Sequence, residues 1–406
     1  MICFSELSPR RRSPPEASAF LLPAFRGGAF WTMIGLWAWL LVTNVAEAAP
    51  SPIKTDFRAD DVLTTLPLNL PDATSLSQTE IPTAALADRI QSLIENARAT
   101  GDPRFLGYAD RLFDTVPDKN LGDRLLVLRA TLAQSLHRFD AARADLNTVL
   151  ARSNDRNQRI QAALTLANLE LVQGQYSESR EQCQQLMRLY PGVIAESCLA
   201  LVDARTGNAD DAYRRLSALT ARGNLNAIEQ SWAQGTLGDI AAQLGMASAT
   251  EHWQEVLKIN PDDLYIRAQL ADWRLEQNDH AAVLTLTEGY EQVDALAVLR
   301  AIAMKHSDQE GFETLAATLK ERFDEAQWRG TLLHKRAFAR FQLDVVQRPD
   351  VALDYAVENW VSQREPLDTR LLLRAARANG ADSETRRISE WLSRNAQHDA
   401  RYPENH

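Results

Sequence analysis

Between residues 125 and about 392 one helix-turn-helix unit recurs about every 34 residues, and a small side chain returns at Ala142, Ser179, Ala212, Ala249 and Val283. The spacings are 37, 33, 37 and 34. A unit that short cannot bury its own apolar face, so it stacks on its neighbours and the core runs between repeats instead of collecting at one centre. The fold class this predicts is an all-α solenoid of antiparallel helix pairs, with one long concave surface left for binding.

Quotable stretches carry a family resemblance. In ALTLANLELVQGQYSESREQCQQLMRLYPG a first helix runs to Val172, Gly174 breaks it, Tyr176 opens a second helix, and Pro191 closes the unit. LYIRAQLADWRLEQNDHAAVLTL repeats that order after KINPDD, where Pro261 stops one helix and Asp262 or Asp263 can cap the next. RATLAQSLHRFDAARADLNTVL and CLALVDARTGNADDAYRRLSAL are two further copies. The pattern resembles the tetratricopeptide (TPR) family, which implies a right-handed superhelix whose first helices (A) line the concave side and whose second helices (B) lie outside. Ala130, Ala167, Ala200 and Ala271 fall in the helix-A slot where the two helices approach, and a larger side chain there costs about 1–3 kcal/mol of overpacking.

The match weakens at both ends, as capping repeats do. Residues 83–122 read as a divergent N-terminal pair, 123–289 as the TPR-like repeats, 290–396 as divergent C-terminal repeats, and 397–406 as a polar tail. About eight helical pairs are expected between residues 81 and 395.

Ahead of the array, residues 1–48 read as a signal peptide: Arg10, Arg11, Arg12 and Arg26 precede the apolar run 28–42, and Ala46 and Ala48 stand where a signal peptidase reads small residues. The mature chain then starts at Ala49 and is periplasmic or secreted. The alternatives are an uncleaved membrane anchor and a start at Met33, which loses the basic region. Residues 49–82, with Pro50, Pro52, Pro67, Pro71 and Pro82, read as a Pro-rich extended linker.

The chain carries 44 basic and 54 acidic residues, a net −10. The leader takes four arginines and three glutamates with it, which leaves −11. That balance argues against nucleic acid, which selects a basic face. Cys183 and Cys198 remain in the mature chain, on helix B of one repeat and helix A of the next. The TPR resemblance packs those helices together, and export brings an oxidising compartment, so a Cys183–Cys198 disulfide is one expectation. Two buried thiols acting as small hydrophobes are the other.

No residue set points to catalysis, a cofactor or a metal. The seven histidines, His137, His252, His280, His306, His334, His398 and His406, are scattered without an HExxH motif or an i, i+4 pair. There is no phosphate-binding glycine loop and no GxSxG elbow. Binding therefore falls to the concave face, onto which the repeat register projects Arg124, Gln134, Asn168, Arg205, Tyr265, Asp272 and Glu276. That polar lining suits an extended peptide. The carboxylate clamp of chaperone-binding TPR domains is missing, since its basic positions read Val127, Leu164, Ser197 and Ala268.

The expected function is an exported, non-catalytic scaffold for a protein or peptide partner in the cell envelope, touching membrane only through partners or an uncleaved leader. Two other readings stand beside it. An accessory factor for envelope polymer export or an envelope transport system would show clustered exposed tryptophans among Trp232, Trp253, Trp273, Trp328, Trp360 and Trp391. A relative of lytic transglycosylases would need an added catalytic domain.

Overall fold

The computed structural model describes residues 83–403. The leader, its cleavage point at Ala49 and the Pro-rich stretch lie outside the described residues. Among those described, every element is helical, and eighteen α-helices follow one another as nine antiparallel pairs, one more than the sequence pattern suggests. The first pair is α1 (Thr83–Thr100) with α2 (Arg104–Phe113). The consensus-like repeats follow: α3 (Asp123–Ser135) with α4 (Phe139–Arg152), α5 (Arg156–Val172) with α6 (Tyr176–Leu189), α7 (Val193–Arg205) with α8 (Ala209–Thr220), α9 (Ala227–Gln243) with α10 (Ala249–Ile259), and α11 (Leu264–Glu276) with α12 (His280–Thr287). Then come α13 (Asp294–His306) with α14 (Phe312–Trp328), α15 (Lys335–Phe341) with α16 (Pro349–Ser362), and α17 (Pro366–Ala378) with α18 (Asp382–Arg394). The chain is thus an α-solenoid of TPR-like hairpins.

Local chemistry sets the pair boundaries. Asp155 caps α5 by accepting from the backbone N–H of Asn157 at 2.8 Å, and Asn226 with Glu229 forms a capping box on α9. Of the two acids after Pro261, Asp263 is the cap, accepting from the N–H of Ile266 at 3.0 Å. Each hairpin reverses through a left-handed residue: Gly101, His137, Gly174, Gly207, Gly245, Asn278, Asp308 (with Gly311 in the same turn), Gln347 and Gly380. Between helices, Ala130, Ala167, Ala200 and Ala271 are buried, as are Ala142, Ser179, Ala212, Ala249 and Val283 opposite them. Cys183 on α6 and Cys198 on α7 are joined by a disulfide, with 5.6 Å between the Cα atoms. Its ends are 15 residues apart, so opening it is expected to cost about 3 kcal/mol. Urea unfolding with and without reductant measures this, and coincident curves would contradict it.

The array does not present an open concave face. Pairs eight and nine return against pairs three to five, and one apolar cluster holds Leu186, Ile194, Leu216 and Ile240 together with Trp360, Leu372, Ile388 and Trp391. Three of the left-handed turn glycines, Gly174, Gly207 and Gly245, lie on the seam. A methyl group on Gly174 would stand 2.9 Å from the Trp391 ring, and one on Gly207 would stand 3.0 Å from Cβ of Ala396. The backbone N–H of Arg364 reaches the carbonyl of Val172 at 2.7 Å across the same seam. Closure explains why the inner helices lack a polar face. In α9 twelve of seventeen residues are buried, whereas α8 on the outside buries only Ala209, Ala212 and Leu216.

His137 sits on this seam in place of a glycine, with φ of 57°. Burial pushes its imidazole down to about 4, and the nearby His334, Arg336 and Lys335 add repulsion. In the unfolded chain it titrates near 6.5, so the folded state favours neutral His137. The stability this contributes is fully present above pH 6.5 and is lost as pH falls toward 4. His137→Gly removes both the left-handed strain, about 1–2 kcal/mol, and the titration. The variant's stability relative to wild type is expected to improve between pH 7 and pH 4 in urea melts. An equal difference at both pH values would refute the assignment.

Candidate functional site

The polar residues of the inner helices converge on the closed interior. Asp239 on α9 is 7 % exposed and accepts from Trp253 Nε1 at 3.1 Å, Tyr265 OH at 3.0 Å and Gln269 Nε2 at 3.3 Å. Burial raises its pKa, with Arg205, the Tyr265 and Gln269 hydrogen bonds and Arg401 pulling the other way. Asp272, one turn along α11 from Gln269, receives Arg370 Nη2 at 2.5 Å and Arg340 Nη1 at 3.1 Å. Burial alone would raise its pKa, but the two guanidinium groups outweigh that and hold the carboxyl below its ordinary range. Arg370 also reaches Glu276 at 3.1 Å.

The ion pairs continue through a π turn over Gln342–Val346 that extends α15. Asp344 in that turn pairs with Arg340 and with Arg374, the latter at 2.6 Å. Lys305 Nζ covers the carbonyl of Val345 at 2.8 Å. Arg205, Asp239, Tyr265, Gln269, Arg336, Glu365 and Arg401 enclose a cavity of about 10 Å³, the size of one water. Such a cavity holds no substrate, and acids and bases in it neutralise one another.

The sequence-projected binding residues separate into two groups. Arg205, Tyr265, Asp272 and Glu276 come together around this interior, whereas Arg124 pairs with Asp88 at 2.6 Å and Gln91 at 2.8 Å on α1. Gln134 is half-buried on α3, and Asn168 is 9 % exposed on α5. The expectation that they line an open groove does not hold for the inner group. Arg205 is 8 % exposed and donates to Gln243, and Asp272 is 4 % exposed inside its arginine pair. The physical reason is that the chain's own C-terminal pairs supply the neutralising charges and the cover.

The segment read as a polar tail is part of that cover. Past α18, Gln397 and Asp399 are 2 % and 8 % exposed. Tyr176 OH donates to Gln397 Oε1 at 2.8 Å, and Gln243 Nε2 donates to the carbonyl of His398 at 2.8 Å. The N–H of Ala400 returns to the carbonyl of Gln243 at 2.8 Å. Arg401 pairs with Asp399 at 2.6 Å, both side chains withdrawn from solvent. Sequence inspection did not single out Gln243; its place in the last turn of an inner helix lacking a charged face is the signal it carried.

No family model matches the sequence, and no curated protein matches it. Among the solved structures that match is a monomeric IFIT1 mutant with m7Gppp-AAAA, in the anti conformation of the cap. It shares 13 % identity at a TM-score of 0.37, over 79 % of this chain and 84 % of that one. At those values the likeness says nothing about what this chain binds.

Proposed function

We propose that the protein is an exported, non-catalytic interaction scaffold that holds a peptide segment of an envelope partner along the C-terminal ends of its inner helices. The observation that carries the reading is main-chain recognition. Gln243 gives its side-chain amide to one carbonyl and its backbone carbonyl to one N–H of a non-helical segment. Contacts of that kind bind a chain by its backbone, and neighbouring side-chain notches select the sequence. The accessory role in polymer export has no such support. Among the described residues Trp328 is the exposed tryptophan, at 85 %, while Trp232, Trp253, Trp273, Trp360 and Trp391 are buried, so no aromatic platform for sugar forms.

The test has two arms. Fractionation of the native host with N-terminal sequencing is expected to recover a chain beginning at Ala49 outside the cytoplasm. A cytoplasmic chain that keeps its leader would reject the export part. Affinity capture with the intact protein is expected to return a defined envelope protein that Gln243→Ala no longer retains. Capture indifferent to that change would reject the site.

A further inference from the structure

The residues after α18 are held as a ligand is held, not as a core element is. Residues 396–402 read Ala-Gln-His-Asp-Ala-Arg-Tyr and include no aliphatic side chain larger than alanine. Ala396 and Ala400, four residues apart, face the turn glycines Gly207 and Gly245, where an added methyl on either glycine would meet them at 3.0 Å. Between those two anchors lie the Gln243 main-chain contacts and the Tyr176 bond to Gln397. The buried Asp399–Arg401 pair completes the segment, and Arg401 lines the same small cavity as Asp239. Arg401 thereby stands in a mixed-charge cavity that Asp239, Glu365, Arg205 and Arg336 also line.

Resting on the scaffold reading, we propose that residues 396–402 are an internal ligand that occupies the partner site. The partner segment it mimics carries two small residues four apart and an acid-x-arginine pair. An attached ligand competes at an effective concentration in the millimolar range. A partner in trans therefore binds only as fast and as tightly as the segment opens. Local opening of a short non-helical segment requires less than global unfolding, and Tyr402 is the one large apolar side chain this segment packs on the core.

The experiment uses the intact chain and a labelled synthetic peptide of residues 394–406. In hydrogen–deuterium exchange on the wild-type protein, the amide of Ala400 is expected to exchange at least tenfold faster than the interior amides of α9. Adding excess peptide is expected to speed the Ala400 amide of the protein further, as the peptide takes its place. Ala400→Glu, which cannot seat against Gly245, is expected to bind the peptide at least tenfold more tightly than wild type does. A peptide in which the Asp399 and Arg401 positions are alanine is expected to bind neither protein. If the Ala400 amide exchanges only with global unfolding, or if added peptide leaves it unchanged, the segment is a fixed structural element and the proposal is wrong. The exchange measurement decides this even where Ala400→Glu fails to fold. Displacement by peptide without any envelope partner that carries such a segment would reject the scaffold reading and leave the internal ligand standing.

Discussion

Arg370→Ala is expected to destabilise the protein by about 3–5 kcal/mol, the cost of leaving a buried charge without its partner. Arg370 is 1 % exposed, and its guanidinium binds Asp272 at 2.5 Å. The pair joins α11 of the sixth hairpin to α17 of the ninth, so its loss acts on closure and not on a single repeat. Arg340 remains on the other oxygen of Asp272, but it is shared with Asp344. Half a network in a closed interior is worse than an apolar contact of the same shape. Arg370→Met combined with Asp272→Leu is therefore expected to recover most of the loss.

The pH dependence gives the second readout of that pair. Asp272 has a folded pKa below its unfolded one, so its contribution is present above about pH 4 and disappears as pH falls. Arg370→Ala removes part of that contribution, and the variant's stability should fall less steeply than wild type between pH 5 and pH 3. Urea melts across that range test both statements. A loss below 1 kcal/mol at pH 7, with an unchanged acid limb, would mean that the pair is not what holds the ninth hairpin down.

The repeat, its small-residue slots and its turns were legible because they follow from local spacing. Ala167 and Ser179 face each other for the same reason that they recur: two helices approach there. Closure is a long-range property and was not read, although its trace was present. The stretch 231–243 of α9 holds a single charged residue, Asp239. A helix that is apolar around its whole circumference is buried on all sides, which an open concave face does not allow. Of the projected groove residues, Arg205 and Asp272 are buried in the closed interior. What covers them was not recoverable from repeat spacing, because the covering residues belong to the divergent hairpins where the pattern fades. The turn glycines of the first, third, fourth and fifth hairpins illustrate the same limit. A left-handed turn explains Gly174 and Gly207, yet Asn278 and Asp308 turn equally well without being glycine. The difference is that the first two lie against Trp391 and Ala396.

Gly238→Ala is expected to destabilise the protein by about 1–3 kcal/mol, although replacing a mid-helix glycine by alanine normally gains about 1 kcal/mol. Gly238 continues the helix-A small series between Ala200 and Ala271, at spacings of 38 and 33. A methyl group there would stand 2.5 Å from Nε1 of Trp253 and 2.6 Å from its Cδ1. The indole has nowhere to retreat, being fully buried and bonded to Asp239 at 3.1 Å. Moving it breaks that bond and leaves a buried carboxylate short of one donor, so the steric cost and the polar cost add. Gly235, one turn earlier on the same helix, supplies the control. A methyl group there meets Cδ1 of Ile266 at 3.3 Å, the flexible end of a side chain, and Cγ2 of Val256 at an ordinary 4.0 Å. Gly235→Ala should therefore be neutral or stabilising by up to about 1 kcal/mol. Urea melts of the two single variants decide the matter. Equal effects at the two sites would show that helix propensity, and not the fit of Trp253 against α9, governs this hairpin.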